Sequence, residues 1–488
     1  MKSPWPLIIV ILYFIALMII VRRYGKLKEK NVTEFAVMGR SAPWYLIIFT
    51  VLATWVIGST YTATFGFGVT DGTVALYMAV YSIMALIIFY FIGPRVWVWG
   101  KVHDLYNVPD YIKLRYRDKK LAIIVAIAAG VVIAAPWQIM ALKTFGYVTD
   151  ALTYGALPQP IGMAIFAVLI AIYCIYGGMR SVVLTDFFQG IISVVVVIIG
   201  IIAVFQVKFG GLGQMFQDVY RQSPELLVVE DTKFWTSIII PSALAVYCFV
   251  EIFNRIFLAK NVRHLKIIVR GAPLLVGTIY VLVALLGIGG SLLPSVNADL
   301  ASAESGFFTM FNDVGGPLML AFAAIVVIAA EMSSVDSQIA TGAIVVARNI
   351  IGELKKEEIS DEKIIKISRI VIAIWMVVVY CLSILDLPAL IVFAYVSYEF
   401  LLTLFPTVIL GIMWKKGTTK ACWASIAVGW ALTGALSIWT PLQGYFGGWG
   451  PGITGGFFAF LVYIIISLSS KEKEWVVSLF DEVNAYKE

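Results

Sequence analysis

Apolar residues in this chain gather in long runs separated by short polar stretches. Thirteen runs approach or exceed the about 20 residues that a helix needs to cross a bilayer. They lie near 4–21, 43–68, 74–99, 121–148, 159–177, 182–207, 234–258, 268–292, 316–349, 364–385, 388–413, 419–440 and 450–470. The first is long for a signal peptide, lacks a small-residue cleavage site and is followed by Arg22-Arg23, so it reads as a true span. The largest polar stretches, 208–233, 293–315 and 350–363, are too short for a separate domain. The pattern predicts an all-α polytopic membrane protein, a single unit over 1–488, with a tail at 471–488 too short for a catalytic or kinase module.

Composition agrees with lipid as the solvent. Hydrophobic residues make up 61% of the 488 and charged residues 14%, against about 45–50% and about 25% in soluble domains. The net charge of +6 is distributed by topology. With the N-terminus outside, every one of the 36 lysines and arginines except Lys2, Lys143, Lys208, Arg221 and Lys233 falls on the inner side. That asymmetry predicts a multi-pass protein of the cell membrane with a cytoplasmic C-terminus. Cys174, Cys248, Cys381 and Cys422 lie in or beside apolar runs and form no zinc spacing. His103 and His264 sit in charged loops, and no phosphate-binding G-x-x-x-x-G-K-[ST] loop occurs. These features argue against a metalloenzyme, an ATP-driven pump and enzymatic function in general, and imply no organic cofactor.

Three polar segments interrupt the apolar runs. The first is Ala53-Thr54-Trp55-Val56-Ile57-Gly58-Ser59-Thr60. It reads either as close packing of small residues or as a helix break offering carbonyls to a cation and N–H groups to a substrate. Gly58, Ser59 and Thr60 are the candidate substrate contacts there. The second is Ala330-Glu331-Met332-Ser333-Ser334-Val335-Asp336-Ser337-Gln338. Its hydroxyls suit a hard cation, its carboxylates are costly in a membrane, and a structural hydrogen-bond network is the alternative. The third runs from Tyr176 to Gly190. Gly177-Gly178 signals a turn, and Asp186 falls a turn inside the next span, where it needs Na⁺, Arg180 or a helix cap as partner. Gln138 and Lys143, after Pro136, are further substrate candidates, with snorkelling or an ion pair as the plain role for Lys143. Glu251 is expected to pair with Arg255 at i+4.

Together these segments resemble the sodium:solute symporter family. Tyr176 to Gly190 resembles its GG-turn and Thr-Asp signature, Ala330 to Asp336 with Gln338 and Arg348-Asn349 its sodium-site helix, and Leu410 to Thr419 the exit of its tenth core helix. The resemblance spans about residues 4–470. It implies a LeuT-type core of two five-helix inverted repeats, about 43–207 and 234–413, with one helix before (4–21) and two after (419–470). It also implies a main Na⁺ site at Ala53, Val56, Ala330, Ser333 and Ser334. A second site, present in some members, would fall on Asp186, Ser333 and Ser337 with Asp336 near. The expected activity is sodium-coupled symport of a small organic solute by alternating access. The region Tyr61 to Asp118 with Ala135-Pro136-Trp137-Gln138 looks closest to monocarboxylate permeases, which favours a monocarboxylate; amino acids and sugars are also carried on this scaffold. A proton-coupled permease and a membrane solute sensor are the rival readings. The implied partners are Na⁺, the solute and lipid, with no nucleic acid; the oligomeric state is open.

Overall fold

The computed structural model describes residues 3–24, 31–296, 299–355, 359–385 and 390–486. The described chain is helical, with one isolated parallel bridge between Ala42 and Ala259. Among the described residues, eight helices are long and apolar enough to cross a membrane, or ten if each of two bent pairs counts as one. Three shorter apolar helices, Trp5–Ile19, Trp44–Trp55 and Gln159–Ile172, accompany them. Every expected run thus meets a helix, although residues 388–389 of the 388–413 run lie outside the described residues.

Two features go beyond the pattern of runs. The runs 159–177 and 182–207 form separate apolar stretches, Gln159–Ile172 and Val182–Phe209, although helical backbone continues through the turn between them, from Gln159 to Phe209. The chain reverses between the two stretches. Phe166 shares a groove with Met332 and Cys174 reaches the Asp336 carbonyl, whereas Gly200 has returned to Phe311. The polar stretches are also more ordered than their composition suggests. Helix Leu212–Gln222 lies within one, and Gly306–Ile344 begins within another. The tail forms helix Glu474–Ala485. It is docked by the Trp99 indole N–H on the Leu479 carbonyl at 2.7 Å and by His103 against Glu482 at 2.7 Å.

The core is organised around Gly306–Ile344, in which every residue from Ala323 to Ile344 is buried. Gly315 and Gly316 bend it where Pro317 removes an N–H donor; Gly316 has φ +60° and ψ −151°. Two other spans are broken near their middles. Trp44–Trp55 stops at Val56 and Ile57, both extended, and Gly58–Asp71 resumes the path. Thr232–Ala245 tightens into a 3₁₀ turn, becomes extended at Phe249 and continues as Val250–Leu258 after a 54° bend. The bridge at Ala42 joins the start of the first broken span to the end of the second: Ala42 N–H donates to the Leu258 carbonyl and Lys260 N–H to the Ala42 carbonyl, each at 3.1 Å.

Candidate functional site

The break at Val56-Ile57 follows from its residues. β-Branched side chains adopt extended backbone readily, and Gly58 lets the chain come against Gly306–Ile344, where a Cβ would meet the Val327 carbonyl and the Glu331 side chain. Extended residues cannot continue the helical ladder, so the last carbonyls before the break lose their usual donors. New donors replace them. Tyr280 Oη donates to the Trp55 carbonyl at 2.8 Å. Ser334 Oγ reaches the Ala53 carbonyl at 2.5 Å and the Ala330 carbonyl at 3.1 Å, and Ser333 Oγ the same two at 3.5 and 3.0 Å.

Ala53, Ala330, Ser333 and Ser334 are therefore brought together as four neutral oxygens, all buried. Hard oxygens without a full charge suit a monovalent hard cation, which needs little compensating charge. Val56 lies in the break itself.

A second cluster lies close by. Asp186 is fully buried and accepts a hydrogen bond from Thr50 Oγ1. Facing it is Arg255 of Val250–Leu258, whose Nη2 is 3.5 Å from Asp186 Oδ2. The same guanidinium donates to Thr54 Oγ1 at 2.7 Å and to Ser337 Oγ. Asp336 is linked to Ser337 by a 3.3 Å hydrogen bond. The structure thus gathers Asp186, Asp336 and Ser337, with an arginine among them. Sequence reasoning overlooked Arg255 in this place, because its nearest carboxylate along the chain is Glu251. No ion pair joins Glu251 to Arg255 among the described residues.

Between the two breaks is a small cavity faced by Trp55 and Thr60 from one broken span, Phe249 and Glu251 from the other, and Trp137 and Tyr398. Of the expected substrate contacts, Thr60 lines it. Ser59 N–H donates to the Glu331 carboxylate, and Gly58 packs on that side chain. Gln138 Oε1 accepts from the Trp375 indole at 2.5 Å. Neither Gln138 nor Lys143 is among the cavity residues. The aromatic residues Trp137, Phe249 and Tyr398 were not foreseen; nothing in their local sequence distinguishes them from the other aromatic side chains of the spans.

Comparison with known proteins agrees with this architecture. The sodium:solute symporter family profile matches residues 35–429. The chain is 23% identical to the uncharacterized symporter YodF of Bacillus subtilis over 433 residues, covering 87% of this chain and 86% of that one. It is 23% identical to the osmoregulated proline transporter OpuE of the same organism, over 87% of this chain and 88% of the relative. Among solved structures, a substrate-bound, outward-open Na⁺-coupled sialic acid symporter superposes with a TM-score of 0.78 at 17% identity, covering 96% of this chain and 99% of that chain. MhsT in complex with L-phenylalanine superposes at 0.52 and 14% identity, covering 91% and 99%. The fold is thus of the LeuT type, and with the family profile spanning most of its length, this chain belongs to the sodium:solute symporter family.

Proposed function

We propose that this protein couples the inward movement of Na⁺ to that of a small organic solute by alternating access, with the solute held in the cavity between the two broken spans. The observation that carries this reading is the meeting of the Ala53 and Ala330 carbonyls with the Ser333 and Ser334 hydroxyls. A bound Na⁺ would turn these oxygens toward itself and tie Trp44–Trp55 to Gly306–Ile344. Val56, in the break, is the remaining candidate ligand. A ligand shifts a conformational equilibrium only by its differential affinity for the two states. Na⁺ that holds these two helices together favours the state in which both line one assembled site. The repeats are taken as about 43–207 and 234–413, and the orientation as N-terminus outside, from the lysine and arginine bias. The membrane potential adds about 2.3 kcal/mol per charge per 100 mV.

The cluster at Asp186, Asp336 and Ser337 is read as already carrying its cation, Arg255, so that the main site alone couples Na⁺. Where the relatives and structures described above are named with a solute, it is proline, sialic acid or phenylalanine, and a simple monocarboxylate loses its priority as solute.

The test is uptake of labelled solutes into proteoliposomes with and without an inward Na⁺ gradient. Accumulation that needs Na⁺ supports the reading. Accumulation driven by a pH gradient alone, indifferent to Na⁺, would replace it with a proton-coupled permease.

A further inference from the structure

The central cavity has a distinctive chemistry. Tyr398 lies 5.5 Å from Tyr81, 5.6 Å from Trp137 and 5.5 Å from Phe249, with ring planes at 59°, 73° and 89°. Trp137 meets Phe249 at 6.0 Å and 86°. All four rings line the cavity. Aromatic walls of this kind attract cations through the negative faces of the rings.

The charged residues point the same way. Glu251 is the one carboxylate on the cavity wall, and no lysine, arginine or histidine of the described residues lines it. Glu251 Oε2 has no hydrogen-bond partner among the described residues, nor has Gln338 Oε1 or Trp137 Nε1, and all three residues are buried. Buried polar atoms are nearly always paired. Two acceptors and one donor, all unpaired and on residues of one cavity wall, therefore call for a ligand with N–H donors and one acceptor.

Both half-helix N-termini at the breaks already carry a protein carboxylate. Glu331 accepts from Ser59 N–H at the start of Gly58–Asp71. Glu251 sits in the first turn of Val250–Leu258. Helix N-termini attract anions, and each of these two already has a protein carboxyl beside it. A solute carboxylate entering alone would find a carboxyl group already beside each helix end, Glu331 at one and Glu251 at the other.

We propose that the solute carries a protonated amine, which donates to Glu251 and Gln338 while its apolar body rests against Trp137, Phe249 and Tyr398. The Trp137 N–H meets a carbonyl, carboxylate or hydroxyl oxygen elsewhere on the solute. A quaternary ammonium would fit the rings but offers no hydrogen to the two acceptors. This assignment rests on the symport reading of the same cavity.

The test uses the full chain, purified and reconstituted. A Na⁺-induced rise in melting temperature without any solute reads the sodium site alone; its absence would sink the symport reading and this one with it. Uptake under a Na⁺ gradient is then measured for L-proline, ethanolamine, choline, lactate and glucose. Na⁺-driven accumulation of L-proline or ethanolamine, with none of lactate or glucose, is expected. N-acetylation of the accumulated amine, which removes its charge, should abolish its competition with wild-type uptake. Glu251→Gln should raise the half-saturating amine concentration about tenfold or more and leave the Na⁺-induced melting shift intact, with Glu251→Asp in between. Preference for choline, lactate or glucose, silence of both amines, undiminished competition by the N-acetyl compound, or an unchanged amine affinity in Glu251→Gln would each overturn the assignment while the sodium shift stood.

Discussion

Arg255 and Asp186 form an ion pair of 3.5 Å with side chains only 2% and 0% exposed. Removing one partner of such a pair leaves an uncompensated charge in a dry interior, which costs about 3–5 kcal/mol. Arg255→Met or Asp186→Asn alone should therefore sharply lower the melting temperature of the purified protein. The Asp186→Asn, Arg255→Met double variant should recover part of the loss. Additive losses in the double variant would show that the pair is not energetically coupled.

The same guanidinium bears on stoichiometry. With Arg255 between Asp186 and Ser337, Na⁺ activation of uptake should be hyperbolic, with a Hill coefficient of about one, as for a single ion. A clearly sigmoidal Na⁺ dependence would return the Asp186 cluster to service as a second sodium site.

Within the main cradle, the two serines differ. Ser334 Oγ reaches the Ala53 carbonyl at 2.5 Å and Ser333 Oγ only at 3.5 Å. Ser334→Ala should raise the half-activating Na⁺ concentration about tenfold, the loss of one good hydrogen-bonding ligand, and Ser333→Ala should do less. Folding should largely survive in both. Unchanged Na⁺ activation in Ser334→Ala would remove the site assignment.

Glu331 holds the start of Gly58–Asp71 through Ser59, and Gly58 allows the approach. Glu331→Ala should lower stability by about 1–3 kcal/mol because the Ser59 N–H is left unmet; Glu331→Gln, which keeps an acceptor, should lose less. Gly58→Ala should be destabilising as well, since the added methyl group meets a backbone carbonyl that cannot yield as a side chain would. Thermal melts in detergent separate these outcomes. A Gly58→Ala protein as stable as the wild type would refute the close approach.

Away from the membrane-spanning segments, Asp118 caps Lys119–Ile127 by accepting from Leu121 N–H at 3.0 Å and also accepts from the Trp423 indole at 2.9 Å. Partial burial works to raise its carboxyl, but these donors and Lys120 hold it below the usual range. A carboxyl depressed on folding contributes its stability above the unfolded value, about 3.9, and loses it as pH falls through the folded one. Protection from hydrogen exchange at the start of Lys119–Ile127, taken relative to the intrinsic rate at each pH, should thus fall below about pH 4 in the wild type. In Asp118→Asn it should vary less over that range, and equal acid sensitivity in the two proteins would refute the cap.

The spans were legible because a bilayer demands length and apolarity together, and both are local properties. The first break was legible as well, since Gly58, Ser59 and Thr60 stand out in an apolar run. What was hidden were pairings between distant segments. Arg255 chooses Asp186 over Glu251 although Glu251 is one turn away, because the bend at Phe249 turns its side chain toward the first broken span. Ser59 meets Glu331 by a similar long-range contact. The Leu212–Gln222 and Glu474–Ala485 helices escaped notice because short amphipathic helices do not raise average hydropathy.

The strap at Ala42 sets the direction in which the bundle can give. Two backbone bonds fasten Ala42 to Leu258 and Lys260, the Trp97 indole clasps the Ala259 carbonyl at 2.8 Å, and Asn254 Nδ2 bridges to the Ala36 and Tyr106 carbonyls at 3.2 and 2.9 Å. Such a seam resists pulling apart but tolerates swivelling. The two broken spans thus behave like scissor blades riveted near one tip: small rotations at the rivet become wide displacements at the far ends, and parting the riveted tip itself requires these bonds to be undone.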